Sequence, residues 1–264
     1  MAATITVLSQ KGGTGKTTTV RTLTDAYRRA GLDVLCVDLD PQGNLSDYFD
    51  VPADAAPTVA DVLAGQARAA DAIHDHVVPA NLGLAEAELV LGGKMGRELT
   101  LKRALKDVKR RYDLLLVDCP PSLGLLTVNA LVAADHALIT SEAEYFSLQG
   151  VEQALEVVDL AKDSLHPELD WLGVVLTKAD MRLVHAREAL ESLQERFGDK
   201  VFETVVRRSV RYAESSERGV SILDYGPDLG ADYMALADEV LARLGGFSET
   251  RGRLSKTSAT TSAS

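Results

Sequence analysis

The sequence predicts an α/β fold, a single doubly wound and mostly parallel sheet flanked by helices. Two observations predict it: the short apolar runs are continuous, as in strands buried on both faces, and stretches with apolar residues at helical spacing separate them. With 264 residues, 46% of them apolar, the chain is long enough to bury a full core. The same balance excludes a disordered chain, a collagen-like repeat and a disulfide scaffold.

The candidate elements alternate along the chain. The apolar runs that predict strands are residues 5–8, 34–37, 114–117, 137–140, 172–177 and 201–206. The amphipathic stretches that predict helices are residues 16–30, 98–111, 148–164, 184–197 and 231–244. Residues 51–93, which are rich in Ala and Asp, are assigned only loosely. Because no repeat or linker divides this series, we expect one domain over residues 1–246.

The two ends of the chain and its cysteines bear on location. Residues 247–264 are rich in Ser and Thr and predict a disordered tail. Cys36 and Cys119 lie in apolar surroundings, which favours a reducing compartment, so we expect a cytoplasmic protein. No apolar run is long enough to span a bilayer, the first nine residues do not resemble a signal peptide, and the tail has only two large apolar residues. We therefore expect no membrane partner.

A glycine-rich segment between the first predicted strand and the first predicted helix carries the strongest functional signal. It consists of Lys11, Gly12, Gly13, Thr14, Gly15, Lys16, Thr17 and Thr18. Glycines let backbone N–H groups turn toward an anion, and the helix adds its positive end, so the segment predicts a phosphate-binding loop. Lys16 would reach the β- and γ-phosphates of a nucleotide, and the Thr17 hydroxyl would ligate Mg²⁺. The usual G-x-x-x-x-G-K-[ST] pattern is not met in full, because Gln10 occupies its first glycine position.

The early lysine of this loop, Lys11, points to a particular family. Residues 11–17 resemble the deviant Walker A motif of the ParA/MinD family of ATPases, which reads K-G-G-x-G-K-[ST]. The resemblance implies that residues 1–246 form a P-loop ATPase domain that uses ATP and Mg²⁺. It also implies that Lys11 crosses a homodimer interface to the partner's nucleotide, so that ATP holds two subunits together and hydrolysis releases them. An extra cation in the loop would neutralise phosphate charge on the facing subunit.

Two further segments resemble the same family at the ends of predicted strands. Residues 37–44 match its first switch, and residues 114–122 match its Walker B strand and second switch. A carboxylate at the carboxyl end of a strand faces the ligand crevice of an open α/β sheet, so we expect Asp118 to hold Mg²⁺ through water. The resemblance places Asp40 where the family orients or activates the attacking water, and Asp38 is given a supporting hydrogen bond to the loop. The candidate catalytic residues are thus Lys11, Lys16 and Asp40.

Later segments extend the resemblance over most of the chain. Residues 144–150 look like the family's E-Y-x-x-L-E-G segment, with Gln in place of the second Glu. Residues 208–215 look like its R-N-V-R-x-S-E-A segment, with Arg207 in place of the preceding proline and Ser209 in place of Asn. In relatives the backbone of this segment contacts the adenine. The resemblance therefore makes Arg208 a candidate nucleotide neighbour.

The charge distribution bears on nucleic-acid binding. The net charge of −11, from 28 Lys and Arg against 39 Asp and Glu, argues at first against such a partner. Basic residues nevertheless cluster in residues 94–111, 178–187 and 207–218. In ParA-like proteins, arginines that match Arg187 and Arg211 contact DNA in the ATP dimer, which implies nonspecific, salt-dependent binding of double-stranded DNA. For the first cluster, a solvated helix face with ion pairs is the alternative.

Taken together, the resemblance implies a ParA/Soj-type partition ATPase that hydrolyses ATP slowly, as a switch. The ATP-bound homodimer would coat DNA nonspecifically on the nucleoid, and a ParB-like centromere-binding protein would stimulate hydrolysis and release. The alternative is a ParA-like positioning ATPase for a protein cargo or a division-site regulator. A reductase ATPase is disfavoured because it needs two cluster-bridging cysteines per subunit, whereas Cys119 stands alone and Cys36 lies within a predicted strand. No substrate-binding signature of a small-molecule P-loop kinase or ligase is found.

Overall fold

Six parallel strands form one sheet in the computed structural model, which describes residues 2–144 and 147–261. The order across the sheet is β3-β2-β4-β1-β5-β6. The strands are β1 (Ala3–Leu8), β2 (Val34–Asp38), β3 (Val77–Val78), β4 (Leu114–Asp118), β5 (His136–Glu142) and β6 (Asp170–Thr177). The predicted fold class is confirmed, because every pairing between these strands is parallel.

Helices cover both faces of the sheet. They are α1 (Lys16–Arg29), α2 (Asn44–Tyr48), α3 (Val59–Ala64), α4 (Gly83–Gly92), α5 (Thr100–Leu105), α6 (Leu125–Ala133), α7 (Ser147–Ser164), α8 (Val184–Phe197), α9 (Arg211–Glu217), α10 (Ile222–Tyr225), α11 (Pro227–Leu244) and α12 (Ser248–Thr261). Because successive side chains of a strand point to opposite faces, Leu115 and Val117 of β4 join one apolar cluster and Leu114 and Leu116 the other. The first cluster includes side chains of α5 to α8, and the second those of α1 and α11. Each fully buried leucine contributes about 2 kcal/mol relative to an exposed one.

One predicted strand is wrong. Residues 201–206 do not form a strand but an extended segment that bonds to β6 only near its two ends, where Phe202 N donates to Val174 O and Val206 N to Leu176 O. Between these bonds the N–H groups of Glu203 and Thr204 turn away and donate to the carboxylate of Glu239 on α11, at 2.9 and 3.0 Å. A side chain thus takes the place of a strand partner.

Other elements differ in extent from the prediction. The predicted helix over residues 98–111 is shorter in the structure. Only α5 is α-helical within this range, and short 3₁₀ turns lie on either side of it, at Arg97–Leu99 and Lys109–Arg111. The last predicted helix begins earlier, at Pro227, a residue well suited to the first helical position because it lacks an N–H. Helix α6 was not predicted, because its almost wholly apolar sequence carries no helical period.

The carboxyl-terminal segment also differs from expectation. Where a disordered tail was predicted, the structure has helix α12, whose Leu254 is buried in the cluster formed with α1 and α11. The guanidinium of Arg251 pairs with Asp238 at 2.9 Å, and Arg253 donates to Ala30 O at 3.0 Å. The first half of α12 therefore packs on the domain, and the division at residue 246 stays a prediction. Among the helices that the structure describes, none is both long and apolar enough to cross a membrane.

Candidate nucleotide site

The glycine-rich loop connects the end of β1 to the start of α1. Gly13 and Gly15 have φ of +81° and +83°, a left-handed conformation that glycine adopts without strain. Gly15 is the residue before the first turn of α1, and no side chain caps the free N–H groups of that turn. These N–H groups and the positive end of α1 are what an anion binds at such a position. The predicted phosphate loop thus has the required backbone.

Buried hydroxyls fix the loop to the neighbouring strands. The Thr14 hydroxyl lies 2.7 Å from Ser9 Oγ and 2.9 Å from Thr140 Oγ1 of β5. The Thr177 hydroxyl at the end of β6 donates to Thr14 O at 2.6 Å. Because Ser9 and two strands, β5 and β6, hold the loop through Thr14, its shape is set before any ligand binds.

The ammonium of Lys16 lies inside this loop. Its Nζ donates to Ser9 Oγ at 3.2 Å and to Lys11 O at 3.3 Å, and the residue is only 6% exposed. Burial lowers the pKa of Lys16, although nearby acids, Asp118 first among them, oppose the shift. A cation that is poorly solvated and held by only two long hydrogen bonds is ready to bind an anion.

Two acidic side chains end neighbouring strands beside the loop. Asp38 of β2 and Asp118 of β4 are paired residues of the parallel ladder, and both are fully buried. Thr17 donates its hydroxyl to Asp118 Oδ2 at 2.6 Å, while Asp118 Oδ1 has no hydrogen-bond partner among the described residues. Asp38 accepts from Ser46 Oγ at 2.7 Å and from the N–H groups of Ser46 and Asp40 at 3.0 Å each.

Burial and mutual repulsion perturb both carboxyl groups. Burial raises the pKa of Asp38 to about 6, although its bonds to Ser46 and Asp40 oppose the rise. Burial, followed by the charge of Asp38, raises the pKa of Asp118 well above its ordinary value, while the Thr17 hydroxyl and Lys16 oppose it. A bare carboxylate oxygen beside a threonine hydroxyl is a ligand set that suits a hard cation such as Mg²⁺, whose charge would offset this repulsion.

Asp40 and Lys11 lie on the open side of the site. Asp40 is half-buried and accepts a hydrogen bond from Gln42 N at 3.0 Å, in the turn that follows β2. Lys11 is exposed and forms an ion pair with Glu144, and this hydrogen bond raises the pKa of Lys11. Tyr145 and Phe146 of the segment 144–150 lie outside the described residues.

A pocket of about 710 Å³ opens beside the loop and brings Arg208 to the site. Its wall includes Gly15, Thr17 and Thr18 from the loop and Arg208 and Ser209 from the segment before α9. Arg208 N donates to Ala179 O at 3.1 Å, which fixes the backbone of that segment to the residues that follow β6. The volume suits a nucleotide-sized ligand.

The two predicted DNA-contacting arginines lie outside this pocket. Arg187 on α8 is exposed and donates to the carbonyl oxygens of Met181 and Arg182 at 3.1 and 3.0 Å. Arg211 begins α9 and pairs with Asp228 at 2.8 Å, while its second nitrogen donates to Tyr225 O at 2.9 Å. Both guanidinium groups are therefore engaged within the chain, and the DNA role of each stays a prediction.

Four of the eight basic residues in the cluster at residues 94–111 are engaged in local contacts. Lys109 pairs with Asp135, and Lys94 donates to Ala64 O at 3.0 Å. Lys102 Nζ lies 3.2 Å from His166 Nδ1, and Arg97 lies 3.0 Å from the Glu98 carboxylate. These contacts favour the solvated face with ion pairs over a DNA surface.

Several contacts of the site were not predicted from the sequence, although Glu144 belongs to a segment that resembles the family. Ser46 reaches Asp38 from α2, Glu144 reaches Lys11 from the far end of β5, and Thr177 reaches the loop from β6. Glu144 and Thr177 lie 133 and 163 residues from their partners, so only the fold brings these pairs together. Ser46 lies eight residues from Asp38, across the turn into α2. Among the described residues, no group of three or more His, Cys, Asp or Glu side chains could hold a metal ion, and Cys36 and Cys119 are buried and free.

Comparison with known proteins adds to this geometry. Residues 2–171 match the sequence model of a family described as an AAA domain. The sporulation initiation inhibitor protein Soj of Bacillus subtilis is 41% identical over 251 residues, which covers 92% of this chain and 99% of that protein.

Two solved structures are similar over nearly the whole domain. A structure of cobyrinic acid a,c-diamide synthase from Mycobacterium smegmatis with bound ADP and magnesium is 35% identical, with a TM-score of 0.75 over 82% of this chain and 93% of that one. The septum site-determining protein MinD of Pyrococcus horikoshii, complexed with Mg-ADP, is 27% identical, with a TM-score of 0.76 over 93% and 98%.

Proposed function

The chain belongs to the ParA/Soj family of partition ATPases, and on this basis we propose that it is an Mg²⁺-dependent ATPase that segregates a chromosome or a plasmid. One observation carries the proposal: the phosphate loop, its buried Lys16 and the carboxylates of Asp38 and Asp118 converge at the carboxyl edge of the parallel sheet. That edge is where open α/β sheets bind ligands.

The residues at the site fit ATP and Mg²⁺. The loop N–H groups and Lys16 would hold the phosphates, and the Thr17 hydroxyl with Asp118, through water, would hold the metal. The unpartnered and buried Asp118 Oδ1 is the observation that supports a cation there. When bound, Mg²⁺ would neutralise phosphate charge as the terminal phosphoryl group leaves. Asp40 would orient the attacking water from the open side of the site.

Lys11 supplies the switch in this proposal. It is exposed at the mouth of the loop and would leave Glu144 to contact the nucleotide of a second subunit, so that two chains enclose two ATP molecules. Slow hydrolysis would then separate the homodimer. In such an enzyme the rate of hydrolysis sets the lifetime of the dimer, since the dimer is stable only while the terminal phosphate is bound.

The dimer would bind double-stranded DNA without sequence preference. Arg187 and Arg211 of both subunits would face the phosphate backbone, and Arg211 would exchange Asp228 for a DNA phosphate. A ParB-like centromere-binding protein would stimulate hydrolysis and release the ATPase from the nucleoid. The alternative, a positioning ATPase for a protein cargo or a division-site regulator, has the likeness to MinD in its favour, but that likeness is weaker in sequence than the likeness to Soj.

Binding to a nonspecific DNA duplex tests the proposal. We expect the wild-type protein to bind with ATP and Mg²⁺ and to bind poorly with ADP or without nucleotide, as measured by fluorescence anisotropy at two salt concentrations. Because binding would rest on phosphate contacts, its affinity should fall steeply as salt rises. Arg211→Glu should weaken binding by about tenfold or more, since it reverses a charge facing the backbone.

Two control variants separate this effect from a structural one. Asp228→Asn breaks the same ion pair but keeps the Arg211 cation, so it should retain DNA binding. Arg68→Glu reverses the charge of an exposed arginine that pairs with Asp71 and should also bind like wild type. Equal binding in all three nucleotide states, or no binding in any, would overturn the proposed function.

A further inference from the structure

Lys178, the residue directly after β6, has an unusual backbone. Its φ is +50°, in the left-handed region that costs a non-glycine residue about 1 kcal/mol. Residues held in this way persist where the surrounding structure determines their conformation, and they concentrate at functional sites. In the sequence, Lys178 stands out only as a member of the basic cluster at residues 178–187.

Hydrogen bonds on both sides impose this conformation. On one side, the Thr177 hydroxyl donates to Thr14 O at 2.6 Å and also reaches Ser141 O at 3.2 Å. On the other side, Ala179 N donates to Val206 O at 3.1 Å, and Ala179 O accepts from Arg208 N at 3.1 Å. Lys178 therefore bridges the phosphate loop and the segment before α9, and its backbone cannot relax without breaking one of these attachments.

The side chain that this backbone projects reaches the phosphate loop. A Cβ built on Gly13 would lie 3.8 Å from Lys178 Nζ, so the ammonium stands directly against the loop. Lys178 is exposed and lines the 710 Å³ pocket together with Gly15, Thr17 and Arg208. Within the part of the chain that the structure describes, no hydrogen bond or ion pair is formed by its Nζ.

The nearest acidic side chains do not account for this position. Glu144 forms its ion pair with Lys11. The charge of Lys178 lowers the pKa of Glu144 less than the charges of Lys11 and Arg208 do. Glu142 also lines the pocket, without a contact to the Lys178 ammonium. An ammonium held against a loop of N–H donors, without a carboxylate in contact, is placed to meet an anion that those donors also bind.

We propose that Lys178 is a further phosphate-binding residue, whose ammonium contacts the phosphate chain of a nucleotide held in the loop of its own subunit. The proposal rests on the proposed function, because it needs the loop to bind a nucleotide. It divides the cations of the site by position: Lys16 within the loop, Lys11 directed to the second subunit, and Lys178 over the pocket side of the loop. The left-handed backbone of Lys178 directs the side chain toward the loop, and this role accounts for the strained conformation.

Titration of each variant with Mg-ADP by calorimetry tests the proposal. ADP is the appropriate probe because it does not require the dimer, so the contribution of Lys11 across the interface does not enter. Lys178→Met removes the charge and keeps the aliphatic stem, and we expect its dissociation constant to rise about tenfold, as expected for loss of a charge-assisted hydrogen bond. Lys178→Arg should retain most of the affinity. Lys106→Met removes an exposed lysine elsewhere and should bind like wild type.

A second variant reports on the strain. Lys178→Gly removes the side chain and also the left-handed penalty, so its melting temperature without nucleotide should be equal to or higher than that of wild type, although its ADP affinity falls. A merely structural lysine would lose stability and affinity together, and that result would overturn the proposal.

Lys16→Met tests whether the loop binds the nucleotide at all, separately from the role of Lys178. If Lys16→Met loses ADP binding while Lys178→Met binds like wild type, the role of Lys178 is refuted and the nucleotide site stands. If Lys16→Met also binds like wild type, the loop is not the nucleotide site, and both proposals fail.

Discussion

Asp38 and Asp118 show how single residues set the chemistry of this site. They end neighbouring strands, are fully buried, and repel each other. Such a pair is unfavourable when both groups are ionised, unless a cation or proton lies nearby. The Thr17 hydroxyl and the charge of Lys16 offset only part of this repulsion and burial, so the pKa of Asp118 stays raised.

This arrangement predicts a pH dependence of stability in nucleotide-free and Mg²⁺-free buffer. Burial raises the pKa of Asp38 to about 6 and that of Asp118 well above its ordinary value, so the folded state holds these protons more tightly than the unfolded state. Stability from this source is therefore fully present below about pH 4 and is lost as the pH rises through 6 and beyond. We expect the free energy of unfolding of wild type to fall more steeply over this range than that of Asp118→Asn, which keeps the contribution of Asp38 and loses that of Asp118.

Urea unfolding at a series of pH values measures this difference. Asp54→Asn, which neutralises an exposed carboxylate, should follow the wild-type curve and serves as the control. A wild-type curve parallel to that of Asp118→Asn would contradict the raised pKa of Asp118. The direct comparison matters because exposed acids in ion pairs, such as Asp180, contribute the opposite trend.

At the scale of residues, the sequence locates those side chains of the site that belong to local motifs. Lys16 and Thr17 belong to one loop motif, and Asp118 ends an apolar run, so each could be placed from its neighbours in the chain. Glu144 lies 133 residues from Lys11, and Thr177 lies 163 residues from Thr14. Contacts of this kind depend on the order of strands in the sheet, which no local pattern encodes.

At the scale of elements, α12 is the clearest departure from the sequence. Its composition is that of a solvated tail, yet one buried leucine and two arginine contacts attach its first half to the domain. Leu254→Ala should lower the free energy of unfolding by about 2–3 kcal/mol, because it leaves a cavity between α12 and the α1–α11 face. A disordered tail would make the same substitution neutral. Thermal and urea unfolding distinguish the two.

Gly252 provides the matched substitution in the same helix. A Cβ added to Gly252 would meet nothing within 4 Å, so Gly252→Ala gains helix propensity without a steric cost. We expect it to raise stability by about 0.5–1 kcal/mol if α12 is helical in solution. Opposite signs for the two variants would establish a packed helix, whereas two null results would restore the disordered tail.

The strands illustrate which elements a sequence predicts well. Five of the predicted runs became strands with ends shifted by two residues at most, because a strand buried on both faces must be continuously apolar. Residues 201–206 are also mostly apolar, but Glu239 accepts hydrogen bonds from the N–H groups of Glu203 and Thr204. Strand β3, only two residues long, is too short to be recognised in the sequence. Composition thus reports burial reliably and hydrogen-bond partners poorly.

For the whole molecule, net charge and function belong to different parts of the surface. The chain carries −11, yet the mouth of the site gathers Lys11, Lys178 and Arg208 near the loop, with Glu144 as the acid that holds Lys11. A second subunit that brings another nucleotide would compete with Glu144 for this lysine. In the proposed dimer, the ion pair would therefore oppose assembly, by the small amount that an exposed pair contributes.

Assembly in the presence of ATP tests this balance. The test uses an Asp40→Ala background, which we expect to hydrolyse ATP too slowly to separate the dimer. In this background Glu144→Gln should lower the ATP concentration needed for half-dimerisation by roughly two- to fivefold, since an exposed ion pair contributes only a small free energy. Lys11→Ala in the same background should not dimerise at all. Light scattering coupled to size-exclusion chromatography measures both.

Glu152→Gln, which breaks the exposed pair with Arg196 on α8, should behave like the parent. If Glu144→Gln weakens the dimer, Glu144 stabilises the assembled state, and the ion pair seen in the single chain is a contact that dimerisation keeps and does not break.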